Sequence, residues 1–314
     1  MSPSYLLKSQ LSEKQIEADV SFYLGWCSNE MPFRLLDIDE QETGADKLST
    51  VTVPIYIQFK KSQGLQPLPP EQRKRRVGED KMQSVRRFRR DNMLSDDPTL
   101  FFGLRAMAEH ASNFQHNILL DHHRPESSHA IYVAPLHLDK ERYFVDLLTG
   151  KRHLDDPWIW KRAELLSDVG HRAWLSRYAF QPFLRNHISI APHERVSTHR
   201  HFYAFSASGD EVSWHSPSVV PGGPFRLSDF MTSRVRQMIA GTGDLPSPEQ
   251  ALGVCEYVAE QYNFDIPGLR SSGTAAFDRL RHYGRWLHKA HDIRQILLCA
   301  DREKIKAIRE RVLS

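Results

Sequence analysis

The sequence has 314 residues, of which 40% are hydrophobic and 26% charged, and its formal net charge is only +3. This composition is typical of a globular protein and excludes a disordered or fibrous chain, and the length predicts one large domain or two modest ones. The three cysteines are far apart in the sequence, so we expect neither a disulfide framework nor a cysteine zinc site.

No window approaches about 18 uninterrupted apolar residues, and the first residues, MSPSYLLKSQLSEK, lack the apolar core of a signal peptide. We therefore expect neither a membrane-spanning segment nor secretion. Unpaired cysteines suit a reducing compartment, so the predicted location is the cytoplasm.

The first predicted helix begins at Ser12, which matches a capping box with Gln15. Its apolar residues recur at helical spacing and form one buried stripe: Ile16, Val20 and Leu24. Glu17 borders this stripe, and Glu13 lies one turn earlier on the same side. Both could equally be solvated helix carboxylates.

Three strands are predicted next, over residues 32–39, 42–48 and 53–59. The second contains Asp46 after Gly44, which permits a close approach of the backbone. In the third, apolar residues alternate with polar ones, so Gln58 and Lys60 point to the same face. Such polar groups on a covered face are costly unless they are paired or functional.

Asp46 in Gly-Ala-Asp, followed by Gln58-Phe59-Lys60, resembles the PD-(D/E)XK nuclease superfamily in a variant with Gln at the second acidic position. The resemblance covers roughly the first 135 residues. It implies that Glu17, Asp46, Gln58 and the Phe59 carbonyl bind Mg²⁺, with Mn²⁺ as a possible substitute. It also implies that Lys60 positions the attacking hydroxide or stabilises the transition state.

The neutral Gln gives this set one negative charge fewer than the usual motif. We therefore expect weaker metal binding, which Glu17, Asp39 or Glu42 would compensate. Glu13 is the second choice for the helix ligand.

A basic tract over residues 71–90 follows a proline-rich connector. Its candidate phosphate contacts are Arg73, Lys74, Arg75, Arg76, Arg86, Arg87, Arg89 and Arg90. Such a block could neutralise several backbone phosphates, so we expect binding to nucleic acid, with DNA favoured over RNA. The alternatives are a solvated loop and a contact with a partner protein.

A helix over Pro98–Asp121 and a strand over Ala130–Pro135 complete the order αβββαβ. The predicted fold class is α/β, with a restriction endonuclease-like core over residues 1–135. Residues 136–314 form a second, α+β and mainly helical region that could bind substrate, act as a sensor or form oligomers. Its predicted helices are 158–178, 225–239, one beginning after Ser247, and 274–313; its predicted strands are 187–191, 202–205 and 211–214.

Three histidines around the 202–214 hairpin, His199, His201 and His215, could in principle bind zinc. Because no third ligand is fixed by spacing, ordinary packing or surface roles are favoured. The resemblance thus predicts a Mg²⁺-dependent nuclease, by analogy in restriction or antiviral defence. The alternatives are a nuclease fold that binds nucleic acid without catalysis, and an interaction module whose C-terminal half binds a partner or a second copy.

Overall fold

The computed structural model describes residues 5–28, 33–37, 51–69, 80–96, 98–107, 111–155, 181–223, 225–240, 245–271, 273–303, 305–306 and 310. Within these ranges there are eight helices. They are α1 (Glu13–Ser28), α2 (Lys81–Asp91), α3 (Gln115–Asp121), α4 (Lys140–Asp155), α5 (Pro182–Arg185), α6 (Leu227–Ala240), α7 (Pro248–Gln261) and α8 (Ala276–His291).

Eleven strands accompany these helices in the described ranges. They are β1 (Leu6–Leu7), β2 (Phe33–Asp37), β3 (Val51–Phe59), β4 (Gln63–Leu65), β5 (Thr99–Gly103), β6 (His129–Pro135), β7 (His187–Ile190), β8 (Phe202–Ser206), β9 (Val212–His215), β10 (Ser218–Val219) and β11 (Arg294–Ala300). The protein is therefore a mixed α/β structure, as the sequence predicts.

The strands form two sheets. The five-stranded sheet has the order β2-β11-β3-β6-β7, in which β3 and β6 are parallel and β11 runs antiparallel to both of its neighbours. The six-stranded sheet has the order β1-β4-β5-β8-β9-β10 and is antiparallel throughout. Both sheets take strands from both sides of residue 135, so that position does not separate one sheet from the other.

Side chains of β3 alternate between two hydrophobic cores, as expected for a strand covered on both faces. Ile55, Ile57 and Phe59 pack with α1, α5 and α6. Tyr56 packs on the opposite face, in the core that α3, α7 and α8 share with the six-stranded sheet. By this alternation Gln58 and Lys60 point to the same face as Tyr56.

Several predicted elements agree with the structure because local signals define them. Ser12 Oγ accepts a hydrogen bond from the Gln15 amide at 3.2 Å, at the start of α1. At α7 the capping box is complete, with Ser247 and Gln250 exchanging both hydrogen bonds. Strands β3, β6, β7, β8 and β9 and helices α6 and α7 lie where the sequence predicts them, within a few residues.

Two predicted helices are wrong over part of their length. In the segment Pro98–Asp121, Thr99–Gly103 is strand β5, paired with β8, and only Gln115–Asp121 is helical. The helix predicted over residues 274–313 ends at His291, and Arg294–Ala300 is strand β11. The strand predicted over 42–48 and the helix predicted over 158–178 lie outside the described residues.

No helix among the residues that the structure describes is long and apolar enough to cross a membrane.

Candidate functional site

Lys60 lies at the carboxyl end of β3, where its backbone amide donates to Val133 O of β6 at 2.8 Å. This bond extends the parallel pairing of β3 and β6 by one residue. The Lys60 side chain is almost fully covered, with 5% of its surface exposed. The sequence pattern therefore locates a buried lysine that is held by a central strand.

Burial is the largest influence on this lysine, and it lowers the pKa of Lys60 below its ordinary value because the charged form loses water. The Glu13 carboxylate acts in the opposite direction and raises that pKa, as does Asp292 more weakly. Arg105 adds a positive charge that lowers it. A lysine in these surroundings gives up its proton more readily than one in water.

Gln58 lies two residues before Lys60 on the same face, and it is also buried. It is paired in register with Tyr132 of β6. Its Nε2 has no hydrogen-bond partner among the residues that the structure describes. A buried amide without a partner is unusual, because leaving it unpaired costs about 1–3 kcal/mol.

Glu17 of α1 lies at the same end of the sheet, where it contacts α8 and β11. Its Oε1 accepts from Arg294 Nη1 at 2.7 Å and lies 3.2 Å from His288 Nε2. Arg294 begins β11, opposite Ile57 of β3. The carboxylate that the sequence proposes as a metal ligand is thus held in an ion pair.

Asp292 completes a group in which Glu17, His288 and Asp292 each offer one ligand atom, all within 4.8 Å of one another. We call these three residues the Glu17 cluster. Asp292 has φ = 56°, the left-handed conformation that ends α8, and Arg105 Nη1 lies 3.3 Å from its Oδ2. The turn from α8 into β11 therefore brings the cluster together.

Two carboxylates and one imidazole form a mixed oxygen and nitrogen donor set. Such a set fits Mn²⁺ or another transition ion better than Mg²⁺, which prefers oxygen ligands alone. Arg294 and Arg105 already neutralise the two carboxylates. A metal would therefore have to compete with these two guanidinium groups.

The predicted ligand set is brought together only in part. Gln58 and Lys60 share one face of β3, the Phe59 side chain packs in the core on the other face, and Glu17 reaches the same end of the sheet from α1. Glu13 also lies at this end, since its Oε1 accepts from the Lys61 amide at 3.4 Å. Three predicted ligands, Asp39, Glu42 and Asp46, lie outside the described residues.

Four residues at this end were not proposed from the sequence: Arg105, His288, Asp292 and Arg294. The last three lie where the sequence predicted a continuous helix. The run RQILLCA at 294–300 is rich in residues that favour strands, and it is the signal that could have revealed β11 and the turn before it.

Two arginines of the basic tract are structural. Arg89 Nη1 donates to Ala204 O at 3.0 Å, and its Nη2 donates to Ser95 O at 2.7 Å. Arg86 Nε donates to Gln66 O at 2.7 Å. Because backbone carbonyl groups already accept hydrogen bonds from both guanidinium groups, Arg86 and Arg89 are not candidates for phosphate contact.

Arg87 and Arg90 of α2 are partly exposed, and Arg90 lies 3.2 Å from Asp91. Of the described tract residues, these two retain the predicted role as candidates for phosphate contact. The others, Arg73, Lys74, Arg75 and Arg76, lie outside the described residues.

The histidines of the hairpin have packing or surface roles. The His201 ring stacks on Trp214 with centroids 5.1 Å apart, and its Nδ1 lies 3.0 Å from His215 O. The His215 ring contacts Phe88 edge to face at 5.4 Å. His199 is exposed. Within the described ranges none of the three belongs to a group that could hold a metal.

No family model, curated protein or solved structure matches this chain.

Proposed function

We propose that this protein is a metal-dependent nuclease that hydrolyses phosphodiester bonds of nucleic acid, with DNA favoured over RNA. The observation that carries the proposal is the buried Lys60 at the carboxyl end of β3, with Gln58 on the same face. A buried lysine with a lowered pKa, beside carboxylates at the end of a central strand, is typical of a catalytic site.

In the proposed mechanism, Lys60 orients the attacking water and stabilises the negative charge that develops on the phosphate. Its burial strengthens this interaction, because charges interact more strongly where water is excluded. Glu13 lies close enough to raise the pKa of Lys60 and would keep the ammonium form populated. Gln58 Nε2 is buried and has no hydrogen-bond partner among the described residues, and it is the donor that we assign to the substrate.

The metal would be held by Asp46 and the Gln58-Phe59 segment, as the motif implies, or by the Glu17 cluster. When bound, a divalent ion lowers the pKa of its water ligand and polarises the phosphate. The donor set of the Glu17 cluster favours Mn²⁺ over Mg²⁺. We therefore expect greater activity with Mn²⁺.

The test uses supercoiled plasmid, linear duplex, single-stranded DNA and RNA, each with Mg²⁺, Mn²⁺ or EDTA. The variants are Lys60→Met and Asp46→Asn, with Lys61→Met as the matched control because Lys61 is exposed and adjacent. We expect Lys60→Met and Asp46→Asn to lose cleavage by about a hundredfold or more, as for loss of a group that stabilises transition-state charge. Cleavage by Lys60→Met at the wild-type rate would refute the proposal.

A nucleic-acid-binding protein without catalysis is the second candidate. The ion pairs of Glu17 with Arg294 and of Asp292 with Arg105 favour it, because they neutralise the cluster without a metal. In this case the wild type would bind DNA in a salt-dependent manner but cleave no substrate with any metal. Gel-shift and cleavage assays on the same samples separate the two functions. We propose restriction or antiviral defence as the biological setting of the nuclease. Homo-oligomerisation or binding of a partner protein would control its activity.

A further inference from the structure

A pocket of about 440 Å³ lies at the end of the five-stranded sheet opposite to Lys60. Val53 near the start of β3 and Leu298 near the end of β11 line it. Lys60 follows the other end of β3, roughly 23 Å away at about 3.3 Å per residue. The pocket is therefore separate from the proposed nuclease site.

Arg234 of α6 lines this pocket, and we call it the Arg234 pocket. Its Nη1 lies 3.1 Å from His129 Nε2 and 3.4 Å from His129 Nδ1, and its Nη2 donates to Ser233 Oγ at 3.2 Å. Its Nε is buried and has no hydrogen-bond partner within the described ranges. Among the described residues no carboxylate forms an ion pair with this guanidinium group.

The groups around Arg234 do not supply the missing negative charge. Burial and the charge of Arg234 lower the pKa of His129 to about 3, so this imidazole is neutral at pH 7. The His123 ring lies 6.2 Å from that of His129, and burial lowers its pKa as well. Glu126 is the carboxylate of the described lining, and it is exposed.

A partly buried cation without a counter-ion is costly, and an anion that enters the pocket would relieve that cost. The donors that the pocket lining offers are the guanidinium group of Arg234 and the side-chain amide of Gln237. A phosphate monoester carries up to two negative charges and three terminal oxygens, so it can accept from both groups at once and neutralises the cation more fully than a carboxylate does.

The rest of the pocket is apolar, with Val53, Met238, Leu245, Pro246 and Leu298 on its walls. Its volume is in the range of pockets that bind small organic ligands. We propose that the Arg234 pocket binds a small organic phosphate monoester, with the phosphate on Arg234 and Gln237 and the organic part against the apolar wall. This site does not depend on the proposed nuclease function.

The test is isothermal titration of the full chain with adenosine monophosphate, inorganic phosphate and adenosine. We expect adenosine monophosphate to bind most tightly, inorganic phosphate more weakly and adenosine least. Arg234→Gln should weaken binding of adenosine monophosphate by about tenfold or more, as for loss of a charged hydrogen bond. Arg236→Gln is the matched control on the same helix, because Arg236 is exposed, and it should leave the affinity unchanged.

Gln237→Glu is the second variant, because Gln237 is exposed and its replacement does not disturb the core. It adds a carboxylate to the pocket lining and should also weaken binding of the phosphate, by about fivefold or more. No binding of either phosphate by the wild type at millimolar concentration would overturn the proposal. So would equal affinity for adenosine and its monophosphate, or equal losses in the Arg234 and Arg236 variants.

Discussion

Replacing Arg89 by Met tests the conclusion that this arginine is structural. Its side chain is fully buried, and its guanidinium group donates to Ser95 O, Ala204 O and Ser213 Oγ. It also lies 3.6 Å from Glu211. These bonds connect α2 to the six-stranded sheet, so the substitution removes the link and leaves Ser95 O without its donor, whereas Ala204 O still accepts from Ser213 Oγ.

Each hydrogen bond to a charged group contributes about 1.5–3 kcal/mol, and breaking a buried ion pair costs about 3–5 kcal/mol. Glu211 keeps 35% of its side chain exposed, so water can solvate it once Arg89 is gone. We therefore take the lower part of the range and expect a loss of about 3 kcal/mol in the free energy of unfolding.

Urea unfolding measures this loss as a fall in the denaturation midpoint at a constant slope. Arg90→Met is the control, because Arg90 is partly exposed and its partner Asp91 is exposed, so that this pair contributes less than about 1 kcal/mol. If Arg89→Met destabilises the protein no more than Arg90→Met does, the structural assignment fails.

Three further predictions concern stability. Lys60→Met should raise the free energy of unfolding by about 1 kcal/mol, since a buried lysine kept for the proposed catalysis costs stability; a lower urea midpoint would contradict this. Ser247→Ala should lower the free energy of unfolding by about 1 kcal/mol, because it removes the capping box of α7. Ser247→Thr should retain most of that stability, and equal losses in urea unfolding would contradict the capping role. Burial lowers the pKa of His122 and of His187 to about 4 in the folded state, whereas a histidine of the unfolded chain has a pKa near 6.5. Between these two pH values the unfolded chain therefore binds more protons than the folded chain. The free energy of unfolding should therefore fall as the pH drops from about 6.5 towards 4, by up to about 1.4 kcal/mol per pH unit for each histidine. Urea midpoints that stay constant from pH 6.5 to 5 would refute this.

Local patterns in the sequence predict those parts of the fold that nearby residues determine. The capping residues of α1 and α7 bond within their own helices, and the alternation in β3 follows from its burial on both faces. The helix predicted over Pro98–Asp121 fails at its start, because pairing with a distant strand decides the conformation there. Phe102 of β5 faces Tyr203 of β8, and that pairing outweighs the helical spacing of the apolar residues.

The sequence predicts only those residues of the candidate site that lie on a single strand. Gln58 and Lys60 follow from the period of β3, whereas Asp292 and Arg294 reach the same end through the turn between α8 and β11. Composition likewise could not distinguish the two structural arginines of the basic tract, Arg86 and Arg89, from the others. The composition of the tract predicts a phosphate-binding surface, but Arg89 donates to Ala204, which lies 115 residues further along the chain.

The position of β11 between β2 and β3 has a consequence for biosynthesis. Thr52 and Cys299 contact each other although 247 residues separate them. During translation β2 and β3 are synthesised well before β11, the strand that lies between them in the sheet. The two strands must therefore stay apart, or pair provisionally, until residue 300 has left the ribosome. The Glu17–Arg294 contact can form only at that stage, so a nascent chain that stalls earlier would be released without a completed site.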